Sequence, residues 1–249
     1  MFFYRGIFIL CFIAVSVNAQ SGWCDPKLCS GGQKHVACMS GNPQWAPSCD
    51  DPEQIKMTPK LKRIILEEHN KLRNQQALGQ TSGYKAATRM ATMTWDDTLA
   101  SLAELNTLQC EMEHDKCRNT YEFTLAGQNL AENGDKTGVE IARWAPGYWF
   151  EEWSLAESSD ITEYKRLSND QGDWIAHFTQ IVKDSAHKVG CGISKFNEGK
   201  RRKSLIVCNY SIANISKKPT YTVGSAASGC KTGSNPDFAG LCSVNEKYD

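Results

Sequence analysis

The sequence predicts an α+β fold in which amphipathic helices pack against a small antiparallel sheet. Two helix-start signals, Thr58 followed by Pro59, and Asp96, each precede apolar residues at helical spacing. A β-hairpin follows later, because the alternating residues 189–193 and the β-rich residues 204–210 flank a polar, glycine-containing segment. Helices alternating with a few antiparallel strands are typical of a layered α+β domain.

The predicted hairpin places Cys191 opposite Cys208, within reach of a disulfide bond. A helix is predicted immediately before it, over residues 174–182, with Asp173 as its N-cap. His177 lies at the edge of the apolar face of this helix. The sequence therefore combines one histidine-bearing helix with one disulfide-linked hairpin.

Apolar spacing and proline define the elements between these landmarks. Residues 125–131 predict a strand. The aromatic-rich residues 139–153 predict helical structure that is interrupted at Pro146, with Glu152 in a short helix after the break. The polar residues 154–171 predict a long surface loop.

Four segments are expected along the chain. They are a signal peptide (1–19), a cysteine-rich extension (20–57), a main domain (58–218) and a tail closed by a disulfide (219–249). A basic residue precedes the apolar residues 6–17, and Ala19 ends a small-residue cleavage site. The apolar run is shorter than the about 20 residues that span a bilayer. We therefore predict a secreted, extracellular protein with no membrane span.

Cysteine number and charge limit the possible classes of function. Of the 11 cysteines, Cys11 lies in the signal peptide, and the even number that remains predicts five disulfides in an oxidising compartment. Lys+Arg and Asp+Glu both number 28, so no net field attracts nucleic acid or anionic lipid. The basic run 200–203 is expected to be a solvated hairpin turn rather than a polyanion site.

Six segments resemble, in order, the CAP superfamily of cysteine-rich secretory proteins, antigen 5 and plant pathogenesis-related proteins. They are HNKLR (69–73), MTWDDTLA (93–100), GQNLA (127–131), HFTQIV (177–182), VGCGI (189–193) and VCNYS (207–211). The cysteine-rich residues 24–38 resemble the N-terminal extension of insect antigen 5 proteins of saliva and venom, in their fly-type form.

The resemblance implies an α-β-α sandwich with an antiparallel central sheet, and a cleft formed by His114, Gln128, Glu152 and His177. It implies the disulfides Cys24–Cys38, Cys29–Cys117, Cys49–Cys110 and Cys191–Cys208, which leaves Cys230–Cys242 for the tail. Two positions depart from the family pattern. Gln128 stands where many relatives have glutamate, and Lys183 stands where most have tryptophan.

Two imidazoles and a carboxylate at one point suit a weakly bound divalent cation, zinc or copper. His114 and His177 would be its ligands, with Glu152 acting through water. Because a structural zinc site needs four protein ligands, no cofactor is required by this arrangement. The alternative is that the histidines only hydrogen-bond Glu152 and Gln128 and so organise the surrounding loops.

The resemblance implies a non-enzymatic, monomeric allergen that acts on a host by binding a fatty acid, an eicosanoid or a host extracellular protein. Apolar side chains could line a lipid channel, namely Leu61, Ile64, Ile65, Trp149, Phe150 and Trp153. The alternative function is a metal-dependent hydrolase with Glu152 as general base, although the sequence contains no HExxH motif. Two glycosylation sequons are present, and Asn214 is expected to be a better acceptor than Asn209.

Overall fold

The computed structural model describes residues 22–38, 42–165 and 175–248. The predicted signal peptide and the predicted N-cap Asp173 lie outside the described residues. The α-helices are α1 (Pro59–Ala77), α2 (Asp97–Thr107), α3 (Gly138–Phe150), α4 (Ser158–Thr162) and α5 (Ala176–Ile181). The strands are β1 (Asp50–Ile55), β2 (Met90–Ala91), β3 (Thr94–Trp95), β4 (Gly127–Gly134), β5 (Lys188–Glu198), β6 (Arg201–Tyr210) and β7 (Leu241–Cys242).

The central sheet has the strand order β1-β5-β6-β4, and every neighbouring pair along that path is antiparallel. The short strand β3 adds to β5 in the parallel direction, and β2 pairs with β7 in a separate two-stranded sheet. In the hairpin formed by β5 and β6, Cys191 is the register partner of Cys208. The antiparallel sheet and the disulfide-linked hairpin are therefore confirmed, and the strands extend further into the predicted loop than expected.

Helices cover both faces of the sheet, which confirms the α-β-α arrangement. Helix α2 packs against β5 and β6 on one face, while α1, α3 and α5 pack together on the other. Gly192 shows how closely α2 approaches, because a Cβ at this position would lie 2.6 Å from the backbone of Glu104. Cys191 points to the opposite face and joins the main core. The sequence GCG therefore places a backbone contact on one side and a disulfide on the other.

The two predicted helix starts are confirmed by their capping hydrogen bonds. The Thr58 hydroxyl accepts a hydrogen bond from the Leu61 amide at 3.3 Å, and Pro59 occupies the first helical position. The Asp96 carboxylate accepts a hydrogen bond from the Leu99 amide at 2.8 Å. Each cap satisfies a backbone donor that the first helical turn leaves without an intrahelical partner.

The predicted helix break at Pro146 is wrong, because α3 runs through this proline and ends at Phe150. A proline inside a helix removes one hydrogen bond and costs about 3 kcal/mol. Tertiary packing offsets this cost, since α3 buries Ala145, Trp149 and Phe150, and the Trp149 indole donates to the Leu130 carbonyl at 2.8 Å. Helical geometry continues beyond α3 as a 3-10 turn over Glu151–Ser154.

The predicted surface loop after residue 154 contains the short helix α4. Its Ile161 side chain is buried in the main core, and the Ile161 carbonyl accepts a hydrogen bond from the Thr220 amide at 2.8 Å. Tyr164 in the same segment is buried as well, so the polar composition of the segment conceals its apolar contacts. Residues 166–171 of the predicted loop lie outside the described residues.

Two disulfides attach the N-terminal extension to the loop that follows α2, whereas the disulfide of the tail closes a loop within the tail. The structure contains Cys24–Cys38, Cys29–Cys117, Cys49–Cys110 and Cys191–Cys208, the four pairs that the family resemblance implies. It also contains Cys230–Cys242, the pair that these four leave for the tail. Strand β1, within the segment 20–57, is an edge strand of the central sheet. Tyr221 and Leu241 of the tail are buried in the main core. Both terminal segments are thus integrated with the sandwich.

A buried cationic cluster connects α1 to the tail. The Arg73 guanidinium donates to the carbonyls of Ala91, Ile181, Lys183 and Asp184. The Lys183 ammonium in turn donates to the Pro219 carbonyl at 2.8 Å. Because a buried cation is stable only when its donors are satisfied, these carbonyls fix both side chains. Lys183 therefore helps to hold the tail against the core.

Candidate functional site

A cleft with a volume of about 840 Å³ lies between residues 112–116, the 3-10 turn after α3, and α5. Its volume is within the roughly 300–1,000 Å³ that is usual for small-molecule sites. Three of the four cleft residues expected from the sequence line it: His114, Glu152 and His177. Gln128, on β4, contacts His114 from behind.

Different elements place the three lining residues. His114 lies in a loop whose two ends are disulfide-bonded to the N-terminal extension. Glu152 lies in the 3-10 turn, and His177 is the second residue of α5. The extension, which is remote in sequence, therefore helps to shape the wall of the cleft that carries His114.

The first histidine is held by an amide. His114 Nδ1 lies 2.7 Å from Gln128 Oε1, while the Gln128 amide nitrogen donates to Asp115 Oδ2 at 2.8 Å and to Asn209 Oδ1 at 2.9 Å. Since the Gln128 oxygen can only accept, His114 Nδ1 carries the proton. Burial lowers the pKa of His114 from its ordinary value of 6.5, and the hydrogen bond to Gln128 opposes this effect.

The second histidine is held by a carboxylate. His177 Nδ1 donates to Glu152 Oε1 at 2.6 Å. Glu152 Oε2 accepts from the backbone amides of His177 at 2.9 Å and Phe178 at 3.0 Å. Both oxygens of Glu152 are thus engaged by N–H donors at the start of α5. In its neutral form His177, like His114, keeps the lone pair on Nε2.

Comparison with known proteins identifies the family. Residues 66–210 match the family model "CAP: Cysteine-rich secretory protein family". The chain belongs to the CAP family. The venom allergen-1 of Aedes aegypti is 40% identical over 235 residues, covering 92% of this chain and 90% of that protein. The antigen 5 like allergen Cul n 1 of Culicoides nubeculosus is 38% identical over 203 residues, covering 77% and 91%. The protein is therefore an insect antigen 5-like CAP protein.

Solved CAP structures share the same fold. The structure of NaASP2 with Zn2+ has a TM-score of 0.65 and 25% sequence identity, and the match covers 79% of this chain and all of that one. Na-ASP-1 also has a TM-score of 0.65, at 22% identity, and the match covers 82% of this chain and 52% of that one. Both likenesses agree with the three-layer sandwich described above.

The CAP cleft has the donor chemistry for a weakly held cation. His114 and His177 each present an unprotonated Nε2 when neutral, and their partners Gln128 and Glu152 orient the rings from behind. Among the described residues there is no group of three or more His, Cys, Asp or Glu side chains arranged to hold a metal ion. The described residues therefore do not fit a closed structural zinc site, and His114 and His177 are the two side chains of the cleft that could contribute nitrogen ligands.

Apolar side chains around the cleft are a feature that the sequence analysis missed. Met112, Tyr148 and Leu155 line it and are 49%, 47% and 42% exposed. They come from a loop, a helix and the residue that follows the 3-10 turn, so no periodic pattern connects them. Tyr148 also stacks on Trp144 at 4.6 Å between ring centroids, an i, i+4 pair that a helical reading through Pro146 would have revealed.

The lipid channel suggested from the sequence is wrong in its location. Of its six proposed lining residues, Leu61, Ile64, Ile65, Trp149 and Phe150 are buried in the main core, and Trp153 packs against that core. These side chains fill the space between α1 and α3, where 3.6-residue periodicity had placed them. The described cleft is lined by other residues.

The remaining histidines and the basic run lie outside this site. His69 is fully buried, donates from Nδ1 to the Ile65 carbonyl at 2.8 Å and accepts from the Tyr210 hydroxyl at 3.0 Å. In the run 200–203, Arg202 pairs with Asp51 and Glu53, and Lys203 pairs with Glu132 and Glu198. Half of the run is therefore neutralised by partners within the chain, which agrees with a structural role.

The two sequons differ in their surroundings. Asn209 is fully buried, and its amide donates to the Leu99 carbonyl at 3.2 Å. The Asn214 amide nitrogen donates to the Ala176 carbonyl at 3.2 Å and to the Thr179 hydroxyl at 2.9 Å. A glycan on Asn214 would replace one of the two amide hydrogens and so break at least one of these hydrogen bonds to α5. Glycosylation at Asn214 stays a prediction, and this geometry disfavours it.

No helix within the described parts of the chain has the length and apolar character needed to cross a membrane.

Proposed function

We propose that this CAP protein is a secreted, non-enzymatic binding protein of saliva or venom, and that its cleft takes up a small amphipathic molecule. One observation carries the proposal: exposed apolar side chains stand beside two imidazole nitrogens in one open cleft. The apolar part of a ligand would rest on Met112, Tyr148 and Leu155. Its polar end would reach His114 and His177.

The hydrogen-bonding character of the cleft defines the polar end of the ligand. His114 and His177 use their Nδ1 protons internally, so their Nε2 atoms accept hydrogen bonds. The carboxylates of Glu151 and Glu152 also line the cleft. A hydroxyl or ammonium group therefore matches this end better than a free carboxylate does. A hydroxylated lipid mediator, such as an eicosanoid, or an apolar amine has this chemistry.

Zinc would use the same two nitrogen atoms. NaASP2, which shares this fold, has been solved with Zn2+. In this chain His114 and His177 would hold the ion and water would complete its coordination, which makes the affinity weak. The ion would supply a Lewis acid able to bind an anionic ligand group. Zinc and a hydroxyl-bearing ligand should therefore compete for the cleft.

The geometry favours binding over hydrolysis. A metal-dependent hydrolase needs a carboxylate that can take a proton from bound water. Both Glu152 oxygens already accept N–H hydrogen bonds, one from the His177 ring and two from backbone amides. Glu152 therefore already serves as the hydrogen-bond partner that orients His177 and the start of α5. A metal-dependent hydrolase is thus the less favoured alternative.

The predicted signal peptide, the disulfides and the relatives of this chain support secretion. A predicted signal peptide precedes a domain with five disulfides, which form and persist in oxidising compartments. Relatives are named venom allergens and an antigen 5 like allergen. We infer that this protein also acts outside the cell that makes it, and that it is an allergen.

Ligand titration by calorimetry tests the proposal. The probes are a hydroxylated long-chain fatty acid, its non-hydroxylated counterpart of equal length, and an aromatic primary amine. We expect the hydroxylated acid or the amine to bind, and the Leu155→Ser variant to weaken binding by about tenfold, because an exposed apolar contact contributes on the order of 1 kcal/mol.

Leu125→Ser provides the matched control. Leu125 is 49% exposed, similar to Leu155, and does not line the cleft. This variant should bind like the parent protein. If neither probe class binds, or if both leucine variants weaken binding equally, the proposed site is wrong. Turnover of an ester or peptide substrate that is lost in His114→Ala and His177→Ala would instead support the hydrolase.

A further inference from the structure

A chain of side-chain hydrogen bonds leads from α2 to the cleft. The Asn209 amide nitrogen donates to the Leu99 carbonyl at 3.2 Å, so its oxygen Oδ1 faces Gln128. Gln128 Nε2 donates to that oxygen at 2.9 Å, and Gln128 Oε1 lies 2.7 Å from His114 Nδ1. The Leu99 carbonyl can only accept a hydrogen bond, which fixes the orientation of the Asn209 amide. The Asn209 oxygen can also only accept, which fixes the orientation of the Gln128 amide.

Asp115 is the second acceptor for Gln128. Its Oδ2 receives Gln128 Nε2 at 2.8 Å and Asn106 Nδ2 at 3.3 Å. Its other oxygen, Oδ1, pairs with Arg118 Nε at 2.8 Å, and the side chain is only 4% exposed. Arg118 therefore fixes the orientation of the carboxylate, and the carboxylate fixes the orientation of the glutamine amide.

The Gln128 amide cannot be turned over in these surroundings. Rotation by 180° would place Oε1 against Asp115 Oδ2 and Asn209 Oδ1, where two hydrogen bonds would become two contacts between acceptors. Leaving buried polar atoms without partners costs about 1–3 kcal/mol each. The amide oxygen therefore stays directed at His114, and the imidazole must present an N–H to it.

We propose that Asp115 is a positioning residue which, through Gln128, holds His114 as the Nδ1–H tautomer and keeps Nε2 as a lone-pair donor in the cleft. The importance of this fixed tautomer rests on the proposed function, because a ligand hydroxyl or a zinc ion would bind to an Nε2 that carries a lone pair. Asn209 supports the same orientation from the other side. The sequon asparagine Asn209 thereby serves an internal purpose in this chain, since both ends of its side-chain amide are hydrogen-bonded.

The hydrogen bonds that Gln128 donates to Asp115 and Asn209 also give a physical reason for glutamine at position 128. A glutamate there would bring a second carboxylate against Asp115, within the 2.8 Å that the amide now spans, and against the Asn209 oxygen. Two carboxylates at that distance cannot both ionise without a large cost. Asp115 and Gln128 thus form a matched pair, and Asp115 is a residue that sequence reasoning did not single out.

Nitrogen NMR of the metal-free mature protein tests the proposal. With 15N-labelled histidine at pH 8, the His114 ring should show a protonated Nδ1 and an unprotonated Nε2. In Asp115→Asn, Arg118 retains the remaining oxygen, so the new amide NH2 faces Gln128 Nε2, donor against donor. Turning the Gln128 amide relieves this contact and aims an N–H at His114 Nδ1. We expect a loss of the single Nδ1–H form and the appearance of the Nε2–H tautomer.

His177 serves as an internal control, because its partner Glu152 is untouched and its signals should not change. Asp135→Asn removes an exposed carboxylate that pairs with Lys195 away from the cleft, and it should leave both rings as in the parent protein. Asp115→Ser, which removes the carboxylate without adding an amide, is the second variant. Asn209 alone then holds Gln128, so part of the Nδ1–H signal should be replaced by that of the Nε2–H tautomer. Unchanged His177 signals show that a variant is folded.

An Nε2–H or mixed His114 in the parent protein would overturn the proposal, and so would an unaltered Nδ1–H ring in folded Asp115→Asn and Asp115→Ser. Zinc titration of the same samples separates this inference from the proposed function. Loss of an outer partner of this kind typically lowers metal affinity about 10-fold or more. A parent protein with a locked His114 that binds neither zinc nor the hydroxylated probe would contradict the proposed function and leave the positioning role of Asp115 supported.

Discussion

Acid should destabilise this protein through His69, a residue remote from the cleft. His69 is fully buried on α1, with both ring nitrogens hydrogen-bonded. Burial lowers its pKa from 6.5 to about 4, outweighing the hydrogen bond to Ile65, and the nearby Arg73 lowers it further. Below pH 6.5 the His69 imidazole of the unfolded chain binds a proton, whereas burial keeps this imidazole neutral in the folded chain. Stability is therefore complete above pH 6.5 and is lost as pH falls towards 4.

The size of this effect follows from the two pKa values. Each pKa unit corresponds to about 1.4 kcal/mol, so the difference between 6.5 and about 4 lowers the free energy of unfolding by about 3 kcal/mol at pH 4. Replacing His69 with phenylalanine removes the titrating group. It also leaves the Tyr210 hydroxyl without its acceptor, which costs about 1–3 kcal/mol at pH 7.

Urea unfolding at pH 7 and pH 4, with the disulfides intact, measures both quantities. We expect His69→Phe to be less stable than the parent at pH 7 and to lose about 3 kcal/mol less than the parent between the two pH values. Glu67→Gln, an exposed change on the same helix, should keep the parental pH dependence. An equal loss of stability in the parent and in His69→Phe would refute the assignment of this effect to His69.

Three further predictions follow from packing and cross-links. Gly192→Ala should force α2 away from the sheet and lower the free energy of unfolding by about 1–3 kcal/mol, measured in urea. Replacing both Cys191 and Cys208 with alanine opens a loop with a sequence separation of 17 and should cost about 3 kcal/mol, seen as a lower melting temperature. Glu246→Gln should loosen the tail and speed its cleavage in limited proteolysis, without unfolding the sandwich. Burial alone would raise the pKa of Glu246, but hydrogen bonds from Thr232, the Lys231 amide and Arg89 lower it to about 2.

Local signals in the sequence predicted the helix starts and the hairpin well. The caps at Thr58 and Asp96 need only residues three positions away, and the Cys191–Cys208 pair needs only a hairpin register. The helix break predicted at Pro146 was wrong. The prediction counted the hydrogen bond that proline removes and did not count the apolar side chains that the helix buries. Burial of Trp149 exceeded the local cost of the proline.

The family resemblance named the residues of the candidate site but not their hydrogen-bond partners. Family resemblance supplied His114, Gln128, Glu152 and His177, and the structure places three of them on the cleft and Gln128 behind His114. The resemblance could not show that both Glu152 oxygens accept hydrogen bonds. It also could not show that Asp115 orients Gln128, because that contact depends on how a disulfide-bound loop lies against β4.

The sequence by itself determined the helix caps, the antiparallel hairpin and the family, because these depend on short-range spacing and on residue types in a fixed order. Only the tertiary structure decided that α3 continues through Pro146, that Lys183 holds the tail, and that the two histidines present their Nε2 atoms to the cleft. Each of these depends on partners distant along the chain, such as Asn209 for Gln128 and Pro219 for Lys183. The hydrogen-bonding arrangement of the cleft is therefore a property of the packed layers.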